Sequence, residues 1–156
     1  MRPAQRAMAA RVGWLSRFCL ALVLLLAALP KLRQPYAFFD SVFGYQIVSP
    51  HVALLVAMVV PWSELLVAAC LLLGLAQRGA CVVGALLGGV FVTANVWAVW
   101  HGLAGNCGCF GYDPTAPAVN AATVALSFGV FSLGVIGLVA PSATAIVPPA
   151  ALVKRP

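Results

Sequence analysis

The sequence predicts an all-α integral membrane protein, a four-helix bundle with a short interfacial helix between spans one and two. Three observations predict it. Of 156 residues, 63% are hydrophobic and 8% charged, where a soluble domain carries about a quarter charged residues. The mean hydropathy is +1.05. Four stretches approach the roughly 20 apolar residues that cross a hydrocarbon core as a helix. So much apolar surface exceeds what one water-soluble core can bury. Lipid then requires helices, because an open strand leaves its backbone groups unsatisfied.

Taken in order, residues 1–12 form a basic N-terminal segment. Residues 13–29 (GWLSRFCLALVLLLAAL) form the first span. A cleaved signal peptide is the competing reading, but the apolar run is long for one and Lys31 and Arg33 follow at once, so the segment is read as a span. The following stretch, PKLRQPYAFFDSVFGYQIVSP, is too apolar for a free loop. Phe38, Phe39, Val42 and Phe43 recur at helical spacing, which predicts a short amphipathic helix at the outer interface. His51, at the mouth of span two, reads as a surface residue.

Span two covers about residues 52–76 and contains Pro61 and Glu64; span three covers about 79–103. Gly84, Gly88 and Gly89 give span three a strip that lets a neighbouring helix approach closely. Trp97, Trp100 and His101 fit an aromatic belt at its outer end. Span four covers about 116–140, with Gly129, Ser132 and Gly137 in a similar role. The transmembrane domain is thus 13–140, and 141–156 is an Ala/Pro-rich tail.

Charge distribution sets the direction of these spans. Seven of the nine Lys and Arg are Arg2, Arg6, Arg11 and Arg17 ahead of the first greasy run, Arg78, and Lys154 and Arg155 in the tail; Lys31 and Arg33 lie between spans one and two, and residues 104–115 hold none. The positive-inside rule therefore predicts a multi-pass protein of the cytoplasmic membrane, with both termini cytoplasmic and the 104–115 loop outside. The net charge of +6 follows topology and forms no dense stripe, so the lipid bilayer is the partner and nucleic acid is excluded.

Two places carry candidate chemistry. Glu64 lies within an apolar span, where a charge is costly and usually faces the bundle, pairs or stays protonated. It reads either as a tie between helices or as a proton donor and acceptor, with Asn95, Thr93 and Lys31 as candidate partners. The second place is GLAGNCGCFGY, residues 102–112. Of five cysteines, Cys19, Cys70 and Cys81 lie in spans and read as small hydrophobes. Cys107 and Cys109 flank one glycine in an aqueous loop, where oxidised thiols persist. A disulfide across so short a ring would be strained and easily reduced. A redox pair and a structural element both remain open on composition alone. Zinc would need three or four ligands in recognisable spacing, and only His101 and Asp113 lie near, so no metal site is predicted.

Three segments carry a family resemblance: LPKLRQPYAFFDSVFGYQIVSP, PWSELLVAACLLLGLAQRGA and GLAGNCGCFG. With the four spans they resemble the methylamine-utilisation MauE family, a branch of the DoxX-like membrane proteins, over roughly residues 15–140. Ala68 stands where that family often has glycine soon after the glutamate, and the tail has no counterpart. The resemblance implies a four-helix membrane protein linked to periplasmic disulfide handling beside a thioredoxin-like partner. In methylamine users that handling matures the disulfide-rich small subunit of methylamine dehydrogenase. It makes Cys107 and Cys109 the redox pair and Glu64 a site residue. Electrons would pass to a membrane carrier, for which a quinone is the candidate; no other cofactor is implied. A non-catalytic assembly factor whose loop docks a partner, and a small-solute carrier using Glu64, are the competing functions.

Overall fold

The computed structural model describes residues 3–103 and 119–140. Every regular element among them is helical: α1 (Pro3–Arg33), α2 (Pro35–Gly44), α3 (Pro50–Leu72), α4 (Gln77–Trp100) and α5 (Ala121–Val139). Four of these are long and apolar enough to cross a membrane, Ala7–Arg33 of α1 and the whole of α3, α4 and α5. The protein is a multi-pass membrane protein. The four helices form a closed ring in which α1 neighbours α3 and α5, and α4 neighbours α3 and α5; α1 and α4 meet across the diagonal.

α1 is longer than the predicted span at both ends. It begins in the basic segment and continues through Pro30 to Arg33. A proline removes one donor from the ladder and usually disrupts a helix interior, but here it falls in the last turn. The chain keeps helical geometry past it, and the Gln34 amide still donates to the Pro30 carbonyl at 3.0 Å. Lys31 is therefore a helical residue, not part of a loop.

α2 is the predicted interfacial helix. Pro35 occupies its first turn, where a missing N–H costs nothing. Phe38 and Ser41 are buried on the face turned to α3, while Tyr36 and Phe43 are exposed. The aromatic spacing thus covers two faces, with Phe39 and Phe43 stacked on each other at 6.0 Å.

The buried strip of α3 is Ala53, Ala57, Pro61, Glu64, Ala68 and Leu71. Spacings of three and four place it on one face, with Trp62 and Leu66 outside facing lipid. Because lipid tails are as apolar as leucine, helix association here rests on close packing rather than on removal from water. α4 and α5 show this most directly. A Cβ on Gly88 would lie 2.6 Å from the Phe131 amide nitrogen, and one on Gly134 would lie 2.7 Å from that of Ala85. Small residues therefore let the two backbones touch. The strip in span four differs from the predicted one: Gly129 faces open space, and Ser132 bonds its own helix at Phe128 O. Gly134 and Gly137 make the close contacts. A core of Leu20, Ala21, Leu24, Val67, Ala68, Leu71, Ala80 and Cys81 fills the ring at the end away from α2.

At that end Arg17 is 5% exposed and, among the described residues, has no carboxylate beside it. Its Nε and Nη2 donate to the Gly137 carbonyl at 3.1 and 2.7 Å. Nη2 also donates to Ala140 O at 3.0 Å, and Nη1 to Gln77 Oε1 at 3.3 Å. The last carbonyls of a helix lack intrahelical partners and carry its negative pole, so a cation from α1 completes the end of α5.

Candidate functional site: a buried ion pair and a hydrogen-bonded layer

Two polar layers lie at successive depths below the loop end of the bundle. The deeper one is an ion pair. Lys31 reaches from the last turn of α1 to Glu64 in the middle of α3, with Nζ 2.6 Å from Oε1 and side-chain exposures of 0% and 2%. The Cα–Cβ bond of a helical residue tilts towards the helix N-terminus, which sends the lysine stem down into the bundle. The rings of Phe38 from α2 and Phe91 from α4 face the ammonium at 5.0 and 4.6 Å, cation–π contacts that strengthen where water is excluded. Of the candidate partners for Glu64, Lys31 is the one that meets it. Thr93 is exposed and bonds its own helix at Gly89 O and Val90 O, as hydroxyls in apolar helices commonly do.

The second carboxylate oxygen, Glu64 Oε2, is buried without a hydrogen-bond partner. An orphaned buried acceptor costs about 1–3 kcal/mol, more when charged. Glu64 also lines a cavity of about 30 Å³ whose walls include Ala27, Gly88, Phe91, Ser127 and Val130.

The shallower layer is neutral. Tyr45, just past α2, donates from its hydroxyl to Asn95 Oδ1 on α4 at 2.7 Å. Asn95 Nδ2 donates to Ser127 Oγ on α5 at 2.8 Å, and Ser127 donates to Thr123 O at 3.0 Å. Asn95 thus joins three segments through Tyr45 and Ser127. Burial pushes the Tyr45 hydroxyl up to about 12, so it remains a protonated donor at neutral pH.

Cys107 and Cys109 lie outside the described residues, but both stems of their loop are described and are held firmly. α4 ends in a left-handed Gly102 (φ +61°); the Leu103 amide donates to Ala98 O and the Gly102 amide to Val99 O. That is the Schellman pattern, which closes the orphan carbonyls of a helix end. α5 opens with a capping box: Asn120 Oδ1 accepts from the Ala122 and Thr123 amides, and Thr123 Oγ1 accepts from the Asn120 amide. Leu103 and Val119 then pack on one small cluster with Tyr45 and Ala98. Cys19 and Cys70 are half-buried and Cys81 is buried, where a thiol is inert. His101 stacks on Trp97 at 3.8 Å and donates from Nδ1 to its carbonyl.

A family model described as "Methylamine utilisation protein MauE" matches residues 9–145. The chain belongs to the MauE family. Membership connects it with methylamine utilisation. The match includes both polar layers and the loop carrying Cys107 and Cys109. No curated protein and no solved structure matches this MauE-family chain.

Reading the sequence alone missed Tyr45, Ser127 and Arg17 as members of these networks. Ser127 and Arg17 carried a signal, since each is a polar residue inside an apolar run. Tyr45 carried none beyond its place after a glycine.

Proposed function

We propose that this MauE-family protein is a membrane thiol–disulfide exchange protein serving extracytoplasmic protein maturation, with Cys107 and Cys109 as its redox pair. The single observation that carries the reading is the MauE-family match across the segment that holds both cysteines, and the firm mounting of their loop supports it. Two capped helix ends and a shared apolar cluster hold its stems above the Tyr45–Asn95–Ser127 layer, as a loop presented to a protein partner requires. The positive-inside distribution supports an extracytoplasmic loop and cytoplasmic termini. A secreted thioredoxin-like protein is the partner the family resemblance implies, and methylamine dehydrogenase maturation the pathway.

In one turnover, a thiolate of the loop attacks a sulfur of the partner's disulfide, forming a mixed disulfide and releasing the partner's other sulfur as thiolate. The second loop cysteine attacks the mixed disulfide, leaving a Cys107–Cys109 disulfide and a fully reduced partner. Two electrons move from loop to partner, and the reverse sequence oxidises the partner. Resetting the loop takes a second two-electron partner. No electron step is assigned to the cavity beside Glu64. Glu64 and Lys31 supply a proton-exchanging group within the membrane, and Asn95 orders the layer between them and the loop.

Removal of the resolving cysteine traps the mixed disulfide. Cys107→Ser should accumulate a reducible adduct with a thioredoxin-like protein on a non-reducing gel, while Cys109→Ser does not, Cys109 making the first contact. In the same cells, Cys109 should react with a membrane-impermeant maleimide from outside after reduction. No adduct with either variant, together with full activity of the double variant, would leave the non-catalytic docking loop as the function. The stem geometry suits that loop equally well.

A further inference from the structure

The Lys31–Glu64 pair is built asymmetrically. One carboxylate oxygen is taken by Lys31, and the other, equally buried, has no partner. Glu64 and Ser127 of α5 are both among the residues that line one partly open cavity. At about 30 Å³ it has room for about two water molecules, given roughly 10–15 Å³ of such volume for each. A purely apolar cavity of this size would stay dry, and a water needs polar partners to enter. A carboxylate oxygen lacking a donor is a strong one, and Ser127 is a second polar residue of the lining.

We infer that the cavity between α1, α3, α4 and α5 is an intramembrane water site anchored on Glu64 Oε2, and that the ion pair is a solvent-exchanging centre rather than a dry structural bridge. Water donates a hydrogen bond to Oε2, completing the carboxylate that Lys31 satisfies only in part. Around the pair, α1 contributes Lys31, α2 the Phe38 ring, α4 the Phe91 ring and α5 Ser127; no further titratable group among the described residues faces it. A proton arriving on this water therefore has Glu64 as its acceptor. The shallower layer begins at the same serine, so the water site lies between the ion pair and the hydrogen-bonded chain that runs to Tyr45. This deepens the proton-handling part of the proposed function and is independent of the loop cysteines, so the trapping experiment and the one below fail separately.

Glu64 is the sole glutamate of the chain, so protein carrying ¹³C at the glutamate side-chain carboxyl gives one unambiguous signal. In phosphatidylcholine vesicles, magnetisation from water protons should reach that carbon quickly. Filling the cavity with Val130→Phe should slow the transfer severalfold, and Ala27→Val serves the same purpose should the larger ring prevent folding. Gly129→Ala, whose added methyl meets nothing within 4 Å, should leave the transfer unchanged. Slow transfer in the unaltered protein, or equal rates in the unaltered and filled proteins, would show a dry pair and overturn the inference.

Discussion

Replacing Lys31 by methionine keeps the length and apolar stem of the side chain and deletes its charge. What remains is Glu64, 1% exposed, with no cation to balance its charge. Removing one partner of a buried ion pair costs about 3–5 kcal/mol, because the other charge is stranded. Loss of the two ring contacts at 4.6 and 5.0 Å adds about 0.5–2 kcal/mol. For a chain of this size each kcal/mol shifts Tm by about 2–4 °C, so the detergent-solubilised variant should melt roughly 10 °C or more below the parent. The double variant Lys31→Met/Glu64→Gln removes both charges and should recover most of the loss, since replacing a whole buried pair is often nearly neutral. The decisive quantity is the coupling in this cycle, above about 2 kcal/mol for residues in direct contact. Losses that simply add, or a single variant as stable as the parent, would refute the pairing as a stability determinant.

Two further predictions rest on other contacts. Gly88→Ala should push α4 from α5, because its methyl would sit 2.6 Å from Phe131 N; overpacking of this kind costs about 1–3 kcal/mol, visible as a lower Tm. Gly129→Ala, in open space, should instead be neutral or stabilising by up to about 1 kcal/mol. Tyr45, raised to about 12 from an ordinary value near 10, contributes stability that is fully present below pH ~10 and is lost as pH rises through about 12. An alkaline titration followed by tyrosinate absorbance and circular dichroism should show this decline, and Tyr45→Phe should remove it; an identical decline in the variant would assign it elsewhere.

The number of spans and the interfacial helix were legible in the sequence because they depend on length, hydropathy and proline placement. Partnerships were less so, for a physical reason. A span surrounded by lipid is apolar on every side, so its sequence gives little indication of which face turns inward. Glu64 announced itself by its cost, but Lys31 and Thr93 were equally plausible partners until the rotations of α1 and α4 were known. Gly129 and Gly137 read alike for the same reason, and of those two only Gly137 touches a neighbour. Lys31 was hidden further by Pro30, which in an ordinary chain marks a helix end. The capping box at Asn120 was obscured by assigning the preceding residues to span four. Its pattern, an asparagine followed three residues later by a side chain that bonds back, was present throughout.

Arg17 bears on the order in which this chain is made. Its guanidinium donates to the Gly137 carbonyl, 120 positions further along, and to Gln77, 60 positions on. When the first helix leaves the ribosome, none of those acceptors has been synthesised, and an arginine at the membrane boundary then has only water and headgroups as partners. The segment must therefore wait near the headgroups, its charge still hydrated, while three more helices follow. Arrival of the last one supplies the missing oxygens and lets the first settle to its final depth. Newly made chains stopped before residue 137 should hold their first helix only loosely, and the cell's membrane proteases would meet such chains as unfinished substrates.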